Sequence, residues 1–247
     1  MQFINTNTLW CHHTIAAMPI FQLTGEIIFP DPAFAEPNGL LAVGGDLSAE
    51  RLLCAYSQGI FPWYSAGNPI LWWFTSPRLI IDPQRLKISS RLQRYFRNSQ
   101  MQLTINKDFG GVIKACSAIP RKEEDGTWIT PEMIKAYQLL HRLGYAHSVE
   151  CWNGEDLAGG LYGVALGKVF FGESMFSRVT NSSKFALIHL VQFLRAHDYQ
   201  LIDCQMTTPH LVSLGALEID GKEFRHRLKQ LISAIKPDTN WNDDKNQ

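Results

Sequence analysis

The chain has 247 residues, of which 45% are apolar and 19% charged, and its 23 Lys and Arg are balanced by 23 Asp and Glu. That length and balance suit one large domain, or a large domain with a small companion, and exclude global disorder. The formal charge of zero excludes a chain that is basic throughout, so any contact with nucleic acid has to be a local patch.

Residues 1–20 carry little pattern and lack the basic start and apolar run of a signal peptide; they read as an extension, or as the product of an early start codon with Met18 as the true start. From Phe29 to Gly45 the chain is rich in Pro and Gly, which is loop chemistry. Ser48 then reads as a helix N-cap, with Leu47 and Leu52 spaced to staple the first turn and Gly59 as the stop. An aromatic cluster follows, Phe61, Trp63, Tyr64, Trp72, Trp73 and Phe74, and residues 1–76 are expected to form a small N-terminal domain.

Leu86–Arg97 reads as a basic helix. Residues 83–107 hold Arg85, Lys87, Arg91, Arg94, Arg97 and Lys107 and no acid, so Arg91, Arg94 and Arg97 make a candidate phosphate-contacting face, against the common alternative of a solvated helix surface. Thr130-Pro131-Glu132 opens a second helix, with a hydroxyl cap, Pro at the first position and an early acid. Strands are predicted at His147–Trp152, Leu157–Leu166 and Lys168–Glu173, turning at Asn153-Gly154 and Gly167. Lys184–His197 is an apolar helix whose core, Phe185–Leu194, is too short to span a bilayer. Gln200–Gln205 reads as a buried strand, with helices at about 209–214 and 222–234 and a tail at 241–247. A meander followed by helix, strand and helix predicts an α/β (α+β) layered domain over 77–240.

Glu173 at the end of an apolar strand, and Asp203 with Gln205 on one face of the next, are the candidate polar centre; structural acids at strand ends are the bland alternative. Trp63 and Trp128 stand near loops and could line an apolar slot. The five cysteines form no Cys-x-x-Cys, and neither Cys nor His falls into a metal-ligand spacing, so a reducing compartment is expected and no zinc site. Nucleotide-binding loops and Gly-x-Ser-x-Gly are absent.

Seven blocks resemble, in order, the leucyl/phenylalanyl-tRNA–protein transferase family: Pro37–Ser48, Gly59–Tyr64, Leu71–Trp73, Gly126–Thr130, Ala146–Glu150, Phe171–Ser177 and Leu201–Gln205. The resemblance implies a small N-terminal domain and a C-terminal domain similar to the acyl-CoA N-acyltransferase fold, working as a cytoplasmic enzyme. It implies transfer of Leu, Phe or Met from aminoacyl-tRNA to proteins beginning with Arg or Lys, without metal or organic cofactor. On this sequence it assigns Trp63, Trp128, Tyr137, Met175, Phe176 and the 185–194 helix to an aminoacyl pocket. It assigns Glu173, Asp203 and Gln205 to the polar centre, and Tyr56, Arg91, Arg94 and Arg97 to the tRNA. In one departure the basic helix reads Ser89-Ser90-Arg91 where the family reads Ser-Arg-Ser. A monomer is expected. Two rivals are an acetyl-CoA-dependent N-acetyltransferase, which the lack of Gly in Met175–Lys184 disfavours, and a tRNA-binding module without catalysis.

Overall fold

The computed structural model describes residues 20–86, 88–119 and 127–241. The expected extension up to residue 19, Lys87, the charged loop at 121–125, Gly126 and the tail beyond 241 lie outside the described residues. Two sheets divide the described chain. The first has four short strands, β1 (Phe21–Leu23), β2 (Leu40–Gly44), β3 (Phe61–Pro62) and β4 (Leu71–Trp73), in the order β1-β2-β4-β3. Between β2 and β3 runs helix α1 (Ala49–Ser57), capped as expected by the Ser48 hydroxyl, which accepts from the Arg51 N–H at 3.3 Å. The chain leaves α1 through Gly59 at φ +77°, where a Cβ would stand 2.6 Å from the Phe224 ring.

Among the described residues the second sheet has seven strands: β5 (Arg78–Ile81), β6 (Gln102–Ile105), β7 (Ala146–Asn153), β8 (Asp156–Leu166), β9 (Val169–Ser177), β10 (Leu201–Asp203) and β11 (Leu217–Ile219). Their order is β11-β5-β10-β9-β8-β7-β6, and of these pairs β9–β10 alone is parallel. The helices that accompany it are α2 (Ser90–Arg97), α3 (Phe109–Ser117), α4 (Pro131–Arg142), α5 (Ser182–Ala196), α6 (Pro209–Ser213) and α7 (Gly221–Leu231). The pleat sends alternate residues to opposite faces. Tyr162, Val164, Phe171 and their like join α1, α3 and α4 in one core, while Leu161, Ala165 and Phe170 join Leu187, Leu190 and Leu194 of α5 in another. Because both faces are covered, β8 is buried almost end to end. The chain is a mixed α/β protein, as the sequence predicts.

Several expectations are corrected. The strand expected to stop at Glu173 continues to Ser177, which puts Glu173 in mid-strand. The basic helix starts four residues later than expected, because Ser89 turns its hydroxyl onto the Leu92 N–H at 3.2 Å and caps a helix that begins at Ser90. The strand expected over Gln200–Gln205 spans Leu201–Asp203. Trp241, expected in a tail, is a core residue: it stacks on His147 at 4.2 Å and donates its indole N–H to the Tyr199 hydroxyl. Helix α3, behind an Asp108 cap and carrying Gly110-Gly111, and the short strands β5, β6 and β11 are not predicted from the sequence. Among the described residues no helix is long and apolar enough to cross a membrane.

Candidate active site

Strands β9 and β10 run in register from Leu201 opposite Val169 to Asp203 opposite Phe171, and then part. Parallel strands that separate at their carboxyl ends leave a crevice, and here it is a cavity of about 410 Å³. Because the gap passes between strands, its walls come from both faces of the sheet: Phe61, Trp63, Trp128 and Tyr162 on one side, Leu187 and Leu190 of α5 on the other. Met175, Ile202 and Met206 complete a mostly apolar lining in which Glu173 is the one carboxylate among the described residues.

Glu173 owes its direction to a bulge. Tyr162 pairs with Ser174 and Gly163 with Gly172, so Glu173 has no partner on β8 and its side chain is re-aimed. Gly163 is required there, since a Cβ would meet the Phe171 carbonyl at 2.2 Å. The carboxylate accepts from the Tyr56 hydroxyl of α1 at 2.8 Å and from the Tyr137 hydroxyl of α4 at 3.1 Å, and the two hydroxyls also touch each other. Burial pushes the Glu173 carboxyl up to about 7; the two tyrosine hydrogen bonds pull the other way, and the nearby Asp203 adds to the rise. Both phenols are pushed well above their ordinary range by burial and then by the Glu173 charge, so they stay protonated donors.

Asp203 is not a second open acid. It is fully buried, and Arg78 of β5 grips both its oxygens, Nε to Oδ1 at 2.7 Å and Nη2 to Oδ2 at 2.6 Å. The Arg78 guanidinium is itself enclosed by Phe61 and Phe224, 4.9 and 4.6 Å from the ring centroids. The expectation that Asp203 and Gln205 share a strand face fails, because β10 ends at Asp203 and Gln205 turns into the left-handed region at φ +54°. Asp203 Oδ1 accepts the Gln205 backbone N–H at 3.0 Å, and the Gln205 carbonyl accepts from the Thr75 hydroxyl at 3.0 Å. The backbone is thus anchored at both ends. The side-chain amide lines the cavity, with Nε2 buried and without a partner among the described residues. A non-glycine residue held left-handed with an unpaired buried donor is the kind of strain that collects at functional sites.

Of the residues expected at the site, Trp63, Trp128, Met175, Glu173 and Gln205 line the cavity. Three do not. Tyr137 stands behind Glu173, fully buried. Phe176 is buried, with the Arg178 guanidinium over its ring at 5.4 Å. Asp203 lies behind the wall. Tyr56, expected at the tRNA, is fully buried with its hydroxyl on Glu173. Arg91, Arg94 and Arg97 are exposed on α2, and Arg91 lines a groove of about 900 Å³ with Ser89, Asn181 and Lys184. On α5, Lys184 of the groove and Leu187 and Leu190 of the cavity are spaced three apart, so one helix face connects the two. Sequence reasoning missed Arg78; the signal was a lone cation opening the apolar run Leu79-Ile80-Ile81, next to the question of what neutralises a buried Asp203. Among the described residues no cluster of His, Cys, Asp or Glu could hold a metal ion.

Residues 80–229 match the family Leucyl/phenylalanyl-tRNA protein transferase, and residues 45–76 match its N-terminal domain. The leucyl/phenylalanyl-tRNA–protein transferase of Syntrophobacter fumaroxidans is 55% identical over 224 residues, covering 91% of this chain and 96% of that one. That of Desulfotalea psychrophila is also 55% identical, covering 91% and 99%. Solved structures align loosely, the structure of L-PGS from Bacillus licheniformis at a TM-score of 0.39 and 14% identity over 76% of this chain and 64% of that one. On the strength of the family match and these relatives, the chain belongs to the leucyl/phenylalanyl-tRNA–protein transferases and is a transferase enzyme acting on aminoacyl-tRNA.

Proposed function

We propose that this enzyme moves Leu, Phe or Met from aminoacyl-tRNA to the α-amine of proteins that begin with Arg or Lys, in the cytoplasm and as a monomer, and so creates a degradation signal. Residues 1–76 and 77–240 are its two domains. The observation that carries the reading is one open carboxylate, Glu173, sharing an apolar cavity with one unpartnered amide, Gln205. The apolar walls take the amino-acid side chain. Such a slot separates similar side chains by only about 1–3 kcal/mol per methylene, which suits a Leu, Phe and Met range. Glu173 attracts the cationic side chain of the acceptor.

The ester on tRNA is already activated, so the task is mostly positioning, for which proximity lowers a barrier by about 7–11 kcal/mol. The acceptor amine has an ordinary pKa of about 7.7–8.0 and supplies its neutral form near neutral pH. Its nitrogen attacks the ester carbon, the bond to the ribose oxygen breaks, and that oxygen takes up the proton the amine loses. Gln205 Nε2 donates to the carbonyl oxygen as charge builds there, held in place because Asp203 fixes its backbone. An N–H donor suits an oxyanion better than it suits an amine, so Gln205 is assigned to the carbonyl oxygen. Arg91, Arg94 and Arg97, with Lys184 across the groove, meet the tRNA phosphates.

The deciding assay offers radiolabelled leucyl-tRNA or acetyl-CoA together with a protein beginning with Arg. Label arriving from leucyl-tRNA alone is the expected result. Label from acetyl-CoA alone makes the chain an acetyltransferase, and tRNA binding without transfer makes it a binding module.

A further inference from the structure

Glu173 is the one carboxylate among the described residues of the cavity, yet neither of its oxygens is left to solvent alone. Oε1 accepts from Tyr56 at 2.8 Å and Oε2 from Tyr137 at 3.1 Å. The donors arrive from different parts of the chain: Tyr56 from α1, which belongs with the first sheet, and Tyr137 from α4, which packs on the second. Both rings are fully buried and rigidly set, Tyr56 against Phe171 at 5.1 Å and Tyr137 edge-on to Tyr162 at 5.6 Å. Neither lines the cavity, so neither touches substrate there. Their polar ends converge on one another and on Glu173.

We propose that Tyr56 and Tyr137 are positioning residues of the transfer reaction: their hydroxyls clamp the two oxygens of Glu173 toward the cavity and favour its anionic form, so that the acceptor's cation meets a fixed charge. The inference rests on the role given above to Glu173. Hydrogen-bond donors to a carboxylate stabilise its charged form. Of the other charged or titratable groups around Glu173, Arg78 alone adds to that support, and by less than either tyrosine. Asp203 on β10 disfavours a second negative charge, Arg78 on β5 is committed to Asp203, and Tyr162 on β8 packs on Tyr137. Burial lifts the Glu173 carboxyl to about 7 even with both donors in place, which leaves it close to neutral pH and sensitive to the loss of either. The clamp adds a second contribution from the N-terminal part of the chain: β3 lines the cavity through Phe61, and α1 brings Tyr56 to Glu173.

The test is the pH dependence of transfer with Tyr56→Phe, Tyr137→Phe and the double variant, using an acceptor that begins with Arg so that its side chain stays charged throughout. Phe keeps the ring and its packing, and thermal melting confirms folding. The α-amine titrates alike in every variant, so any displacement between them belongs to Glu173. Each single loss is expected to move the acidic limb of acceptor kcat/KM upward by about one pH unit, lowering kcat/KM about fivefold at pH 7 with recovery at higher pH. The KM for aminoacyl-tRNA stays unchanged. An unmoved limb, or a loss equal at every pH, overturns the clamp. Glu173→Gln separates this from the parent reading: if that variant keeps the wild-type KM for the acceptor, the role of Glu173 itself fails. If it loses acceptor recognition while the Tyr variants titrate like wild type, only the clamp fails.

Discussion

Asp203 and Glu173 sit on adjacent parallel strands within two residues of the point where β9 and β10 part, and their surroundings differ in kind. Asp203 is closed in: Arg78 takes both oxygens, aromatic rings cover the guanidinium, and the ion pair has no solvent exposure. Glu173 faces a cavity with only neutral hydroxyls as donors, and its charge is left unmatched. Burial by itself therefore does not distinguish a structural acid from a working one. The distinction is whether the charge has been neutralised within the fold. The paired acid orders the backbone of Gln205, and the unpaired acid is the one that the proposed function assigns to the acceptor's cation.

This contrast can be attacked from both sides. The largest effect is expected at Arg78. Arg78→Ala strands a buried carboxylate and should lower stability by about 3–5 kcal/mol in urea unfolding; a wild-type midpoint would mean Asp203 is not held by that pair. Gln205→Ala should lower turnover by about 10²-fold or more while leaving aminoacyl-tRNA affinity intact, and equal loss of both would mark a structural role. Gln205→Gly should lose activity equally but relieve the left-handed backbone at φ +54°, holding stability level or raising it by about 1 kcal/mol.

Glu173→Gln tests the open acid through stability. Burial pushes the folded Glu173 carboxyl from its ordinary 4.5 up to about 7, so the folded chain binds more protons between those values. Wild type should lose stability relative to Glu173→Gln as pH rises from about 4.5 to 7, by about 1–3 kcal/mol in all, and the difference should level off above that. Melting curves across this range with parallel slopes would show an unshifted carboxyl. The mildest change is Arg94→Ala with Arg97→Ala, remote from both acids. It should reduce the salt slope of tRNA binding by about 1.5 and spare turnover at saturating tRNA; an unchanged slope removes α2 from the footprint.

Local chemistry makes much of the molecule legible in the sequence. The Ser48 cap, the Thr130-Pro131 start of α4, the β7–β8 hairpin and the apolar α5 are each written in a few adjacent residues, and each stands where those residues place it. Glu173, Gln205, Trp63 and Trp128 are likewise identifiable, because their blocks resemble a known family. The short strands β5, β6 and β11 are not, since three or four residues carry too little periodicity and their pairing is supplied by distant partners. Helix α3 is hidden by Gly110-Gly111, whose weak propensity is overridden by packing against β8.

Within the site, the amino-acid sequence by itself determined which side chains were available: two acids, an amide, two tyrosines and a set of aromatic walls. Which acid is open and which is closed was decided by tertiary structure alone. Arg78 and Asp203 are 125 positions apart, and Tyr56 and Glu173 are 117 apart. A charge is neutralised by whatever stands within a few ångströms of it, and that neighbour is chosen by the packing of the sheets rather than by the residues beside it in the chain.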